Sequence, residues 1–233
     1  MNKIKLLIIA LCLTLPIPAV ATGDWFTMAA GSGDSATCME SGFTNSIVYS
    51  RDIPSGITSG NWTVTGTPVV TYDAVGLAGL PNTAITLTDD NGSGIEDIRQ
   101  TVVSGAATGQ YVAQVVYIKK DSDETRFPSF YLYISAGAHQ SIHLNTKTGV
   151  TAIEVTSGTA SHEVVSSGDW WILYSSVLSD SNANVLSIVA PSRGSVLGSA
   201  SSAATGSIIV GNVELYKNKI IADVSSTCPV YTP

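Results

Sequence analysis

An all-β fold, a sandwich or jelly roll, is what this 233-residue sequence predicts. Three observations carry that expectation. Short segments rich in β-branched and aromatic residues follow one another from Asn45 onward, each bounded by Gly, Ser, Asn or Asp. No stretch shows a convincing 3.6-residue apolar period. Cys38 and Cys228 bracket nearly all of these segments.

The chain opens on a leader. Lys3 and Lys5 come with no acid, and Ile4 to Leu15 is apolar apart from Lys5, Cys12 and Thr14. Pro16 and Pro18 break any helix, and Ala19-Val20-Ala21 supplies small residues for cleavage. This pattern predicts a secretory signal peptide over residues 1–21 and an extracellular, periplasmic or cell-surface location. The apolar run is shorter than the ~20 residues that cross a bilayer. A bulky Leu11 directly before Cys12 argues against lipidation there. Residues 22–43, rich in Gly, Ser and Ala, read as an irregular N-terminal arm. Residues 44–233 read as the sandwich with a C-terminal tail.

Strands are expected in the following order. Ile47 to Tyr49 is short; Asn61 to Thr65 and Pro68 to Tyr72 flank a turn at Gly66; Thr83 to Thr88 alternates. Ile95 to Val103, Gln110 to Lys120, Pro128 to Ser135, Gln140 to Asn145 and Val150 to Thr156 follow. Ser161 to Val165, Asp169 to Leu178, Val185 to Ala190 and Gly206 to Tyr216 complete the set, with Gly194 to Thr205 as a long internal loop. Many short strands at regular spacing indicate a sandwich or jelly roll.

Cleavage removes Cys12, so the mature chain keeps two of the three cysteines. In an oxidising compartment two cysteines usually pair. A Cys38–Cys228 bridge would close almost the whole domain and contribute ~5 kcal/mol in the chain-entropy description. Two free thiols or a bridge between chains are the alternatives. Loss of Lys3 and Lys5 with the leader takes the net charge from −7 to −9. Excess acid argues against nucleic acid and against an anionic membrane surface as partners.

Alternation assigns faces. Phe130, Leu132 and Ile134 point to the core; Tyr131 and Tyr133 point the other way, about 7 Å apart. Ile142 and Leu144 are core residues, and His139, Ser141, His143 and Asn145 share the opposite side. In Trp170-Trp171 one ring points in and the other out; Trp171 joins the candidate ligand set. An outer face that shows rings beside amide or imidazole groups suits a sugar, whose C–H faces stack and whose hydroxyls bond. Ordinary packing against loops or the arm is the simpler use for any one of these rings.

Several segments carry a resemblance. Thr44 to Asp52, Asn61-Trp62-Thr63, Tyr72-Asp73-Ala74 and Thr83 to Asp89 resemble the opening of jelly-roll carbohydrate-binding-like modules. Such modules occur in phage tail and virion-surface proteins and in secreted bacterial proteins. Ile98 to Val102, Gln110 to Lys119, Gly168-Asp169-Trp170-Trp171 and Ile208 to Tyr216 are similar to their later strands. The likeness spans Thr44 to Lys217. It implies a two-sheet antiparallel jelly-roll β-sandwich, with a glycan or surface polysaccharide as partner. A cleavable leader departs from what a virion protein carries. The resemblance also implies a structural calcium, for which Asp73, Asp89, Asp90 and Glu214 are the candidate ligands; no other cofactor is required.

Catalysis is not expected. Ser, His and Asp occur without a Gly-x-Ser-x-Gly elbow. Glu154, Glu163 and Glu214 lie in or beside strands with nothing in the sequence to pair them. On one strand His139 and His143 would stand about 13 Å apart, too far to share a metal. The Asp89 to Gln100 stretch lacks the bidentate acid and the following helix of an EF-hand. The sequence therefore predicts a secreted, non-catalytic glycan-binding module, with a structural subunit of an extracellular surface assembly, appendage or virion as the alternative.

Overall fold

The computed structural model describes residues 45–48, 52–77, 79–135 and 137–227. The leader, the arm and both Cys38 and Cys228 lie outside the described residues. Within them the order is α1 (Ile53–Thr58), β1 (Trp62–Thr65), β2 (Val69–Ala74), β3 (Ala84–Asp89), β4 (Asp97–Ala106), β5 (Tyr111–Lys119) and β6 (Phe127–Ile134). Then come β7 (His139–Leu144), β8 (Thr151–Ser157), β9 (Ala160–Ser167), β10 (Trp170–Leu178), β11 (Ala183–Gly194), β12 (Gly206–Lys217) and α2 (Ile221–Thr227).

The strands form two antiparallel six-stranded sheets. The first runs β1-β4-β11-β6-β7-β8 and the second β2-β3-β12-β5-β10-β9. Their inner faces make one core. Trp62, Ile98, Phe130, Leu132, Ile142 and Val189 of the first sheet meet Ile85, Leu87, Val116, Ile118, Leu173 and Val213 of the second. A polar clamp crosses this core: Gln114 Nε2 donates to Ser187 Oγ at 2.6 Å, and Ser175 Oγ donates to Gln114 Oε1 at 3.3 Å. All three residues are buried. Their mutual bonding satisfies groups that would otherwise destabilise the interior.

The all-β sandwich expected from the sequence is the fold found, with four local differences. Ile47 and Val48 are not a strand. They run as a strap whose bonds come from side chains: Gln100 accepts from the Val48 N–H at 2.7 Å and donates to its carbonyl at 2.8 Å, and Asn45 Oδ1 accepts from Ile47 and Leu215. Two short helices are present. Asp52 caps α1 by accepting from the Ser55 N–H, with a proline in its first turn. Strand β11 runs past Pro191 to Gly194 through a register shift after Ala190. Finally, the middle of the outer face of the second sheet, along β12, β5 and β10, is buried. Val115, Tyr117, Trp170, Ile172, Tyr174 and Tyr216 form a second apolar cluster with Ile221 and Val224 of α2. No helix among the described residues is long and apolar enough to cross a membrane.

Candidate functional site

The outer face of the first sheet is where half-buried rings and hydrogen-bonding groups come together. Strand register places its residues in rows. Leu186 pairs with Thr101 on one side and Tyr133 on the other, and Tyr133 pairs with His139. One step along, Ile188 pairs with Arg99 and Tyr131, and Tyr131 pairs with Ser141. Leu186, Ile188, Tyr131 and Tyr133 are all half-buried. Together they form a two-by-two apolar block, about 5 Å across the strands and about 7 Å along them.

A carboxylate-centred network borders this block. Glu154 Oε2 accepts from Tyr131 OH at 2.6 Å, from Ser141 Oγ at 2.9 Å and from His143 Nε2 at 3.1 Å. Glu154 Oε1 accepts from Arg193 Nη2 at 2.9 Å and Nε at 3.2 Å. Ser129 Oγ lies 2.8 Å from Ser141 Oγ and extends the network into β6. Burial pushes the Glu154 carboxyl upward, but the bonds from Arg193, Tyr131 and Ser141 outweigh it and bring it down to about 2. The carboxylate stays charged with its lone pairs filled.

A bulge gives Glu154 its direction. Ser141 pairs with Val155 and Ile142 pairs with Ile153, which leaves Glu154 between them as the extra residue. Bulges re-aim a side chain in this way. Arg193 arrives from the continuation of β11 beyond Pro191 and also lies over the Tyr131 ring, 5.6 Å from its centroid.

His143 is on the expected side of β7 but is wholly buried, because the loop from Ser195 to Thr205 covers it. The Gly198 N–H donates to His143 Nδ1 at 3.1 Å. A ring that accepts at Nδ1 carries its proton on Nε2, so the neutral imidazole donates to Glu154. Burial lowers the His143 pKa, and the Glu154 contact only partly offsets it. Gly198 approaches at φ +83°, and a Cβ there would sit 3.1 Å from that of Ala152. His143 thus clasps the loop and does not face a ligand. His139 is half-buried, its ring 5.5 Å from that of Tyr133, and its Nδ1–H donates to the Gly137 carbonyl at 2.8 Å.

Trp171 lies elsewhere. On β10 of the second sheet it turns inward, against the edge of the core. Its Nε1 donates to the Thr146 carbonyl at 2.8 Å, and Lys120 Nζ sits 4.4 Å from its ring centroid. The turn at Gly149 presses on the same ring: φ is +75°, and a Cβ there would come within 2.6 Å of it. Trp171 packs a turn against the body, far from the pair Tyr131 and Tyr133 in both sheet and face.

The four acids considered for calcium do not converge. Among the described residues no three of His, Cys, Asp or Glu gather as a metal would need. Asp73 accepts from Thr86 Oγ1 on the outer side of the second sheet. Asp89 is buried and accepts from the backbone N–H groups of Asn91 and Glu96, closing the turn after β3. Asp90 is exposed at that turn, and its N–H donates to Glu96. Glu214 is buried on β12, where Tyr216 OH and Asn212 Nδ2 donate to it, each at 2.6 Å. Nearby, burial together with the charges of Glu214 and Glu163 pushes Tyr174 up to about 12.

No protein-family model matches the sequence, and a comparison with curated proteins finds no match. Solved structures similar to the chain include carbohydrate-binding modules, a phage tailspike domain, a phage carbohydrate esterase and an exo-beta-agarase. They include the CBM22-1 xylan-binding domain of Paenibacillus barcinonensis Xyn10C, at 12% identity over 69% of this chain and 87% of that one, TM-score 0.40. The enzymatically active domain of bacteriophage CBA120 tailspike protein 4 is 17% identical over 74% of this chain and 21% of that one, TM-score 0.40. CBM35 from Cellvibrio japonicus Abf62 is 12% identical over 65% and 86%, TM-score 0.31.

Proposed function

We propose that this chain is a secreted, non-catalytic module that binds a glycan on the outer face of its first sheet. The observation that carries the reading is the half-exposed block of Tyr131, Tyr133, Leu186 and Ile188. It offers a flat apolar platform of the footprint of a sugar ring, bordered by groups that bond hydroxyls: the Arg193 guanidinium and the His139 imidazole. Ring stacking plus a few convergent polar groups is the usual chemistry of such recognition.

The same network supports a binding role over a catalytic one. A general acid has to hold a proton near neutral pH, and Glu154 sits at about 2 with its oxygens occupied. A base acting on Ser141 needs a free imidazole nitrogen, and both nitrogens of His143 are engaged. Secretion rests on the leader pattern of residues 1–21.

Replacing Tyr133 by Ala is expected to weaken glycan retention by about 1 kcal/mol, or about fivefold, while leaving the thermal midpoint nearly unchanged. Tyr133 makes no bond to Glu154, so the network survives its loss. Affinity electrophoresis with a retained polysaccharide, run beside thermal denaturation, reads both quantities. Equal retention of the variant and the parent would remove the platform from consideration.

A second reading is favoured by β8, which among the described residues pairs with β7 alone. Val150, Ile153 and Val155, in and beside β8, are exposed at 55%, 43% and 39%. A strand edge with exposed apolar side chains suits contact with another protein subunit. Light scattering across a concentration series separates the two readings, since a strictly monomeric chain excludes self-assembly through β8.

A further inference from the structure

We infer that this face selects uncharged saccharides and rejects those bearing carboxylate or sulfate groups, an inference that rests on the glycan-binding reading. Two arginines stand at its borders, and each is already neutralised. Arg99 Nε and Nη2 donate to Asp97 Oδ1 at 2.9 Å and Oδ2 at 2.6 Å. Arg193 is held by Glu154 through Nη2 and Nε. The acid side chains are only 8% and 11% exposed. Neither can swing into water and release its arginine without breaking the packing around it.

The remaining groups point the same way. The Nδ1–H of His139 is taken by the Gly137 carbonyl. Its Nε2 is therefore an acceptor when the ring is neutral, suited to a sugar hydroxyl. Asp180 is exposed at this end, its carboxylate 3.2 Å from where a Cβ on Gly137 would lie. An anionic sugar would give up its hydration to meet a surface that, among the described residues, has no surplus positive charge and one acid without a basic partner. Desolvating a charge without a partner is unfavourable. A neutral ring gives up far less and keeps the stacking on Tyr131 and Tyr133.

The test uses the full chain on an array that sets neutral oligosaccharides beside the same backbones carrying uronates or sulfates, in 0.15 M salt. Retention on neutral members is expected, with anionic counterparts bound about tenfold more weakly or worse. Asp97→Asn releases Arg99 and is expected to narrow that difference. Equal or tighter binding of the anionic members, lost in Tyr133→Ala, would overturn the selectivity and leave glycan binding on this face standing. No retention of any member would overturn both. If Asp97→Asn does not fold, the neutral-to-anionic ratio of the unaltered chain still decides.

Discussion

Glu154→Ala is expected to lower the stability of the folded chain by about 3 kcal/mol. The loss is not that of one salt bridge. Removing this carboxylate leaves Arg193, the wholly buried His143, Ser141 and Tyr131 without their shared acceptor. Each then keeps its desolvation and loses its compensation, which is why breaking a buried charged network exceeds the worth of an exposed pair. The effect carries a pH signature. The folded-state pKa, about 2, lies below the ordinary value of 4.5. The ionised form therefore stabilises the fold above pH 4.5, and that contribution fades as pH falls through 4.5 toward 2. Urea denaturation at pH 7 and pH 3 is expected to show a smaller gap between parent and variant at the lower pH. A gap of the same size at both would mean that Glu154 does not act as an ion.

Trp62→Ala carries the other large effect, about 3–5 kcal/mol. Trp62 is 1% exposed and fills the end of the core behind β1. Its Nε1 also donates to the Val48 carbonyl at 3.0 Å, which Gln100 holds from the other side. The alanine variant opens a cavity and loosens the strap of residues 45–48 at once. Trp62→Phe keeps most of the packing but loses that bond, with an expected loss of about 1–2 kcal/mol. Urea midpoints at unchanged slope check both values. A Trp62→Ala variant as stable as the parent would contradict the placement of this ring in the core.

Strand positions are legible in the sequence because one face of the first sheet is apolar and the other mixed. Phe130, Leu132 and Ile134 alternate with Tyr131 and Tyr133, and period two settles which side is which. The second sheet announces itself differently. Val115-Val116-Tyr117-Ile118 and Trp170 to Tyr174 are continuous apolar runs, the mark of a strand covered on both faces. α2 supplies part of that cover, and at seven residues it is too short to show a helical period of its own.

The network around Glu154 is less legible. Alternation with Ile153 puts Glu154 on the outer face, but strict alternation has no place for the bulge that sets Val155 beside it, and nothing in the sequence tells that Arg193 and His143 meet Glu154 there. Pro191 has the profile of a strand end, since it cannot donate to a ladder. The strand nevertheless continues and delivers Arg193. Trp171 shows the converse: a tryptophan beside tyrosine-rich strands suggests a shared platform, yet its ring lies in the other sheet, pressed by Gly149.

One measurement bears most directly on the proposal that a sugar sits on the outer face of the first sheet. Aromatic-ring NMR spectra of the full chain, recorded while a retained glycan is added, are expected to shift the signals of Tyr131, Tyr133 and His139. Tyr174 and Tyr216, buried on the far side of the second sheet, are expected to stay in place. Shifts confined to the second sheet, or none at saturating glycan, would contradict that location.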